Sequence, residues 1–203
     1  AKVTKKSKSP LSFHPIALIF GLLSFVSYLV EGAVGDWSAL YLFEDKGIVI
    51  EEAVMGVMLF NGTMCIGRLL GNRLGKHLTS KQVVVGGYLL GSIAMGLIVF
   101  LPGHASMYTY LLLGISLAMI VPNLFSAMGE QNVIPMTQAV ATSTMLGYMG
   151  ILMGPALIGF IAHGTSLTVA FIVLTTLLVV SAGIGKYAYH LMSKDCGLSE
   201  EQI

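Results

Sequence analysis

Charged residues are scarce in this sequence of 203 residues: Asp, Glu, Lys and Arg together make up only 10% of it. A typical soluble domain carries about 25%. No charged residue lies between Gln82 and Gly129 or between Gln131 and Gly185, whereas hydrophobic residues make up 55% of the chain and the mean hydropathy is +0.83. This shortage excludes a soluble globular domain. The sequence predicts an integral membrane protein whose main partner is the lipid bilayer.

Residues that carry enzymatic or metal chemistry are equally sparse. The two cysteines, Cys65 and Cys196, lie in an apolar segment and in the tail, and their placement fits neither a disulfide framework nor a metal-binding pattern. The five histidines do not cluster, and no HExxH or GxSG-type motif is present. These absences exclude a membrane protease and a metalloenzyme. We expect no enzymatic activity, cofactor, metal ion or nucleic-acid partner.

Six apolar segments follow a basic lead, residues 1–10, and short loops join them. Each segment is near or above the ~20 residues that a helix needs to cross a bilayer. Their approximate bounds are 16–42, 53–74, 83–101, 107–128, 139–162 and 167–191. The predicted fold is an all-α membrane protein with six transmembrane helices in one domain, residues 11–192, followed by a tail, residues 193–203. Because the sequence does not begin with Met, we interpret it as a fragment or a processed piece.

The distribution of basic residues predicts the orientation of the chain. Lys and Arg occur in the lead, around the loop after the second segment and near the C-terminus, whereas Lys46 alone lies on the opposite side. Loops on the cytoplasmic side of a membrane carry an excess of Lys and Arg. Both termini are therefore predicted to be cytoplasmic.

The first segment carries two acids, Glu31 and Asp36, within its apolar run. A carboxylate near the centre of a membrane helix costs at least ~2.5 kcal/mol, so such a residue faces protein or a water-filled cavity. Helical spacing places it on one polar face. The members of this face are Ser24, Ser27, Tyr28, Glu31, Gly35 and Ser38. Glu31 is predicted to be a proton-coupling or substrate-binding carboxylate, with a structural acid bonded to Tyr or Ser as the alternative.

Glu31 and Arg68, a basic residue of the second segment, are predicted to lie at different depths in the membrane. Counting about 1.5 Å per residue from Ile16 places Glu31 in the outer half of the bilayer and Asp36 near its outer edge. Arg68, by contrast, lies toward the cytoplasmic end of the second segment. We therefore expect no cation from this chain to hold Glu31 permanently ionised.

The same face analysis predicts which other helices contact a polar space. Polar residues recur at helical spacing in the second, fourth and fifth segments, whereas the third and sixth lack such stripes and are expected to form outer packing. The stripes comprise Asn61, Cys65, Arg68 and Asn72; Ser116, Met119, Asn123, Ser126 and Glu130; and Gln138, Thr142, Ser143 and Tyr148. The candidate proton-coupling or substrate residues are Glu31, Asp36, Tyr28, Asn61, Asn123, Gln138 and Tyr148.

Small residues mark the fifth segment as a packing helix. Gly147, Gly150 and Gly154 share a face, and Gly150 and Gly154 form a GxxxG pair followed by Pro155. This spacing lets two helix backbones approach closely. Pro155 is expected to bend the helix.

Three stretches resemble parts of a known family, the major facilitator superfamily of transporters. Residues 72–76, Asn-Arg-Leu-Gly-Lys, resemble its cytoplasmic loop signature Asp-Arg-x-Gly-Arg, although Asn72 replaces the usual acid. The surrounding loop motif consists of Gly67, Arg68, Asn72, Arg73, Gly75 and Lys76. The segment GYMGILMGPALIGFIA is similar to the Gly-Pro-rich eleventh helix of many members. EGAVGDWSALYL resembles the seventh helix of a bacterial inner-membrane branch related to sugar permeases.

The resemblance covers residues 9–192 and implies the C-terminal six-helix half of a transporter, built as an inverted pair of three-helix repeats. It implies alternating access about a site near the midplane, a missing N-terminal half as partner, and a bacterial inner-membrane location. The leading hypothesis is a secondary transporter of a small polar, possibly sugar-like solute that is plausibly coupled to protons. The alternatives are a proton-driven exporter of amphipathic compounds, which the 12 methionines would suit, and a non-transporting module that needs a partner half.

The predicted orientation can be tested by labelling single cysteines in intact cells. A cysteine at Lys46 or at His104 should react with an impermeant thiol reagent from outside, because both positions lie in outer loops. A cysteine at Lys76 should not react, because that loop is cytoplasmic. Labelling at Lys76 would reverse the orientation.

Overall fold

The computed structural model describes residues 11–74 and 78–196, except for the side chains of residues 72–74 and 195–196. Within these residues the chain is all α-helical and has six helices, or sets of consecutive helices, that are long and apolar enough to cross a membrane. The helices are α1 (Pro15–Glu44), α2 (Ile50–Leu74), α3 (Ser80–Phe100), α4 (Gly103–Tyr108), α5 (Tyr110–Ala118), α6 (Ile120–Glu130), α7 (Met136–Gly164) and α8 (Leu167–Cys196). The predicted fold class, six transmembrane helices, is confirmed.

The fourth membrane span is divided into α4, α5 and α6, where the sequence predicts one helix. The first break is at Thr109, whose hydroxyl donates to the carbonyl of Ser106 at 2.6 Å. The second is at Met119, whose carbonyl accepts from the side chain of Asn123 at 2.8 Å. Pro122 lies just beyond and has no backbone N–H to continue the helical ladder. The missing backbone N–H of Pro122 therefore explains the interruption at Met119.

The spans pack in three principal pairs: α1 with α7, α2 with α5, and α3 with α8. Between α1 and α7 the backbones touch, because Gly150 faces the carbonyl of Phe25 and Gly154 faces that of Leu29. A Cβ atom at Gly154 would lie 2.5 Å from the Leu29 carbonyl oxygen, which is closer than any real contact. Lipid supplies no hydrophobic force that drives helices together, so such close van der Waals contact is what holds the pair.

Hydrogen bonds tie the loops to the helices at both ends of the bundle. At one end Lys46 donates from Nζ to the carbonyls of Val99 and Leu101, at 2.6 and 2.9 Å, and so caps the C-terminus of α3. Burial lowers the pKa of this ammonium, and the carboxylate of Asp45 opposes the shift. At the other end the backbone N–H of Ser12 donates to Oγ1 of Thr142 at 3.0 Å. The segment before α1 is thereby fixed to the start of α7.

The glycine contact predicts a position-specific cost for one methyl group. Gly150→Ala should lower the stability of the folded protein by about 1–3 kcal/mol, the usual cost of overpacking, because the new Cβ meets the Phe25 carbonyl. Gly62→Ala on α2 is the matched control, since a Cβ there meets nothing within 4 Å. Thermal unfolding in detergent measures both. Equal stability of the two variants would contradict the backbone contact.

Candidate functional site

An ion pair joins α1 to α2 near the middle of the bundle. Nη2 of Arg68 lies 3.4 Å from Oε1 and 3.3 Å from Oε2 of Glu31, so one nitrogen faces both carboxylate oxygens. The side chains are 22% exposed for Glu31 and 44% exposed for Arg68. Charge-assisted hydrogen bonds usually measure about 2.7–2.9 Å, so this pair is loose and mostly Coulombic. Together the two side chains make a charge-neutral, accessible site.

The expectation that Arg68 lies too far toward the cytoplasm to reach Glu31 is wrong. The helices are longer than the bilayer is thick: α1 has 30 residues, or about 45 Å, against a hydrocarbon core of about 30 Å. A depth counted from Ile16 therefore misplaces Glu31, which lies near the middle of α1. The long, flexible side chain of Arg68 covers the remaining offset along the helices.

Two tyrosines lie beside the ion pair. The rings of Tyr28 and Tyr148 are parallel within 4°, with centroids 6.3 Å apart. Tyr28 is one helical turn from Glu31 on the same face of α1. Tyr148 is well exposed, at 63%. We call Tyr28, Glu31, Arg68 and Tyr148 the central polar cluster, which combines two opposite charges, two phenol hydroxyls and two aromatic faces.

The predicted polar face of α1 divides into an accessible part and a buried part. Tyr28 and Glu31 are half-buried and Gly35 is exposed, whereas Ser24, Ser27 and Ser38 are buried. Ser24 donates to the carbonyl of Phe20, so this hydroxyl satisfies the backbone of its own helix. The prediction that all six residues face a polar space is therefore wrong for the three serines. A serine hydroxyl that bonds within the bundle is buried as readily as a small apolar side chain.

The hydroxyl of Ser27 has its partner on the third span. It lies 2.8 Å from the hydroxyl of Tyr88, which also donates to the carbonyl of Leu23 at 2.7 Å. Tyr88 was not among the candidate residues, because it stands alone on an otherwise apolar helix. A single buried tyrosine gives no periodic signal. It connects α3 to α1 through polar contacts inside the bundle.

The remaining candidate residues lie on four different helices. Asp36 is exposed, more than one turn beyond Glu31. Asn61 is exposed on α2 and donates to the carbonyl of Val57 at 3.0 Å. Asn123 bonds the carbonyl of Met119 at the break before α6, and Gln138 is half-buried in the first turn of α7. The structure thus brings Tyr28, Glu31 and Tyr148 together with Arg68, whereas Asn61 and Asn123 each donate to a backbone carbonyl four residues earlier.

The loop motif is described only in part. Gly67 packs closely on α5, where a Cβ atom would lie 2.6 Å from that of Ala118, and Arg68 is the partner of Glu31. The side chains of Asn72 and Arg73 lie outside the described residues, as do Gly75 and Lys76. The role of this motif therefore stays a prediction.

The residues around Pro155 connect α7 to α1. Gly147 lies against the ring of Tyr28, and the carbonyl of Pro155 accepts from Nε1 of Trp37 at 2.9 Å. Sequence analysis identified Pro155 but not Trp37 as its partner. No signal in the sequence pairs the two residues, because the carbonyl that Pro155 leaves without its usual helical donor is that of Ile151, four residues earlier, and not its own.

Within the described residues, no group of three or more His, Cys, Asp and Glu side chains is placed to hold a metal ion. The chemistry open to the central polar cluster is reversible binding and proton exchange. Glu31 can accept a proton or a hydroxyl hydrogen bond, Arg68 can donate, and the tyrosine faces can stack against a ring.

Comparisons with known proteins find similarity to parts of longer membrane proteins. It is 41% identical over 168 residues to an uncharacterised MFS-type transporter of Yersinia pestis, which covers 81% of this chain and 43% of the relative. It is 30% identical over 170 residues to the membrane protein MosC of Rhizobium meliloti, covering 82% of this chain and 42% of the relative. The chain thus spans less than half the length of these relatives. No protein-family model matches the sequence.

A solved structure shows the same fold. The Escherichia coli fucose:proton symporter FucP matches with a TM-score of 0.75 at 16% identity, over 86% of this chain and 43% of that chain. At this identity the match establishes the arrangement of helices, which is that of six spans within a larger transporter.

The ion pair predicts a thermodynamic coupling between Glu31 and Arg68. Arg68→Gln should destabilise the protein by about 1–3 kcal/mol, because a partly buried carboxylate loses its partner. The double variant Glu31→Gln/Arg68→Gln should recover much of this loss. Thermal unfolding in detergent gives the cycle, with Asn61→Ala as an α2 control. A double variant no more stable than Arg68→Gln alone would show that the pair is not coupled.

Proposed function

We propose that this chain, whose fold is a six-helix half of the major facilitator superfamily fold, is the C-terminal half of a secondary active transporter for a small polar solute. The central polar cluster carries this proposal. It lies near the middle of a membrane span on an accessible surface, where transporters of this architecture bind substrate between two halves. In the complete transporter an N-terminal half covers this surface. Both termini of this chain lie on the cytoplasmic side of a bacterial inner membrane.

The charge balance of the cluster favours a neutral, hydroxyl-rich substrate. Glu31 and Arg68 compensate each other, so an anion or a cation would have to break the pair and leave one charge unmatched. A sugar-like solute instead donates hydrogen bonds from its hydroxyl groups to the carboxylate of Glu31 and accepts hydrogen bonds from the guanidinium of Arg68. Its ring can lie against the exposed face of Tyr148. The fucose:proton symporter shares the fold, which makes a sugar a reasonable first substrate to test.

Proton coupling is assigned to Glu31. When Glu31 binds a proton, it loses its negative charge and its Coulombic attraction for Arg68. The hydrogen bond that remains is weak, because the two side chains are 3.3 Å apart. Arg68 and the tyrosines then face the substrate in a different electrostatic state. Proton binding and substrate binding are thereby linked through one pair of side chains, and the transporter needs no second charge in this half.

An alternative substrate class has support from α7. Met145, Met149 and Met153 recur every four residues and are 50%, 41% and 41% exposed. Methionine side chains adapt to apolar ligands of different shape, so this row favours export of amphipathic compounds. The two possibilities differ in which residues matter: the methionine row for an amphipathic compound, and Tyr148 with the ion pair for a sugar.

The coupling role predicts a separation of two activities. Glu31→Gln in the complete transporter should abolish accumulation against a gradient and its pH dependence, because glutamine cannot exchange a proton. It should preserve substrate exchange, because glutamine keeps the shape and hydrogen bonding of the protonated acid. Uptake and exchange in proteoliposomes, at several values of external pH, measure both.

Asp36→Asn is the matched control, since it changes an exposed acid on the same helix. It should accumulate substrate as the unchanged protein does. If Glu31→Gln accumulates substrate with unchanged pH dependence, Glu31 is a structural acid. If no solute of either class moves while the protein is folded and joined to its other half, the chain is a non-transporting module.

A further inference from the structure

A backbone carbonyl of α7 lacks its usual helical donor beside the central polar cluster. Pro155 has no N–H group, so it cannot donate to the carbonyl of Ile151, four residues earlier. The helix is long and apolar enough to cross a membrane, and a carbonyl without a donor costs free energy in that environment. A donor from outside the helical ladder is therefore expected at the Ile151 carbonyl.

The neighbour of this carbonyl on α1 is a glycine. A Cβ atom at Gly32 would lie 2.9 Å from the carbonyl oxygen of Ile151, so a side chain there would crowd the oxygen. Glycine itself offers only a Cα–H group, which is a weak donor. The contact is the reverse of those at Gly150 and Gly154, where glycines of α7 face carbonyls of α1. The Ile151 carbonyl thus retains capacity for a stronger donor.

Two glycines of α1, Gly32 and Gly35, form what we call the glycine notch. They lie one turn apart on the same side of the helix. A Cβ atom at Gly35 would meet nothing within 4 Å, and Gly35 is exposed, so the notch opens into space that a ligand can enter. Gly32 and Ile151 are half-buried at the inner edge of this space.

The glycine notch adjoins the central polar cluster. Glu31 immediately precedes Gly32, and the two residues point about 100° apart around α1, so the carboxylate and the Ile151 carbonyl flank the notch. Tyr148, one turn before Ile151 on α7, is 63% exposed. Both flanking groups accept hydrogen bonds when Glu31 is ionised. Two acceptors on either side of an open space complement a ligand that carries two neighbouring donors.

We propose that the Glu31 carboxylate and the Ile151 carbonyl bind two adjacent hydroxyl groups of the substrate, which is therefore a vicinal diol. This subsite rests on the proposed transport function and narrows its substrate class. Pro155 is the specificity-determining residue, because it leaves the carbonyl without a helical donor. The indole of Trp37 donates to the carbonyl of Pro155 at 2.9 Å and holds α7 against α1 beyond the notch.

Ligand binding to the complete transporter in detergent tests the subsite. The probes are fucose, galactose and glucose, followed by analogues of the tightest-binding sugar that each lack one ring hydroxyl. Isothermal titration calorimetry measures the affinities. In the unchanged protein, analogues lacking either of two adjacent hydroxyls should bind roughly tenfold more weakly, the equivalent of about 1.4 kcal/mol for each hydrogen bond.

Pro155→Ala returns an N–H group to the Ile151 carbonyl and keeps the carbonyl that Trp37 binds. The parent sugar should bind roughly tenfold more weakly to this variant, and one of the two analogues should then bind as well as the parent. Discrimination at the other hydroxyl, which contacts Glu31, should persist. Pro122→Ala is the matched control, because it removes a proline from the fourth span, and it should keep both preferences.

Gly32→Ala is a second route to the same result, since its Cβ would crowd the Ile151 oxygen without changing the proline. It should abolish discrimination at the same hydroxyl as Pro155→Ala. Discrimination that survives in both variants, or an equal loss at every hydroxyl, would overturn the subsite and leave the proposed transporter standing. If none of the three sugars binds the unchanged protein, the sugar-like substrate class fails and the subsite fails with it.

Discussion

The backbone contact between α1 and α7 determines the geometry of the central polar cluster. Gly147, Gly150 and Gly154 successively face the Tyr28 ring, the Phe25 carbonyl and the Leu29 carbonyl. This register brings Tyr148 opposite Tyr28 and leaves Glu31, one turn further on, free to face α2. A side chain at Gly150 or Gly154 would separate the helices, because its Cβ would meet a backbone carbonyl of α1. The position of the proposed coupling residue thus depends on residues that carry no chemistry themselves.

Much of this organisation could be predicted from the sequence, because membrane insertion leaves strong signals. Six long apolar segments with few charges predict membrane-spanning helices, and a glycine face on the fifth predicts a close packing surface. The sequence does not predict how deep two residues on different helices lie relative to each other, or which side chains form pairs. Arg68 reaches Glu31 because both helices extend beyond the bilayer and because arginine is long. Hydropathy predicts where the helices are in the sequence, but it does not predict how far one helix is shifted along its axis relative to another.

Buried hydroxyls were the other source of error. Ser24 and Ser27 occur at the same spacing as Tyr28 and Glu31, and no pattern distinguishes a serine that faces a cavity from one that bonds a carbonyl or a tyrosine inside the bundle. The acid differs because its desolvation cost is much larger, so it must be paired or hydrated. Periodicity therefore identifies a candidate face, and the charge on that face identifies which member must be paired or hydrated.

The scarcity of charge that marks the sequence also explains why the cluster is built as a pair. Between Gln82 and Gly129, and between Gln131 and Gly185, no residue offers a countercharge to Glu31. In the described part of the chain Arg68 meets this need at 3.3 Å. A tighter, forked pair would stabilise the bundle more, yet it would resist separation by a proton or a substrate. The loose geometry suits the coupling role proposed for Glu31, because such a pair can be exchanged for a proton or for a hydrogen-bonded solute.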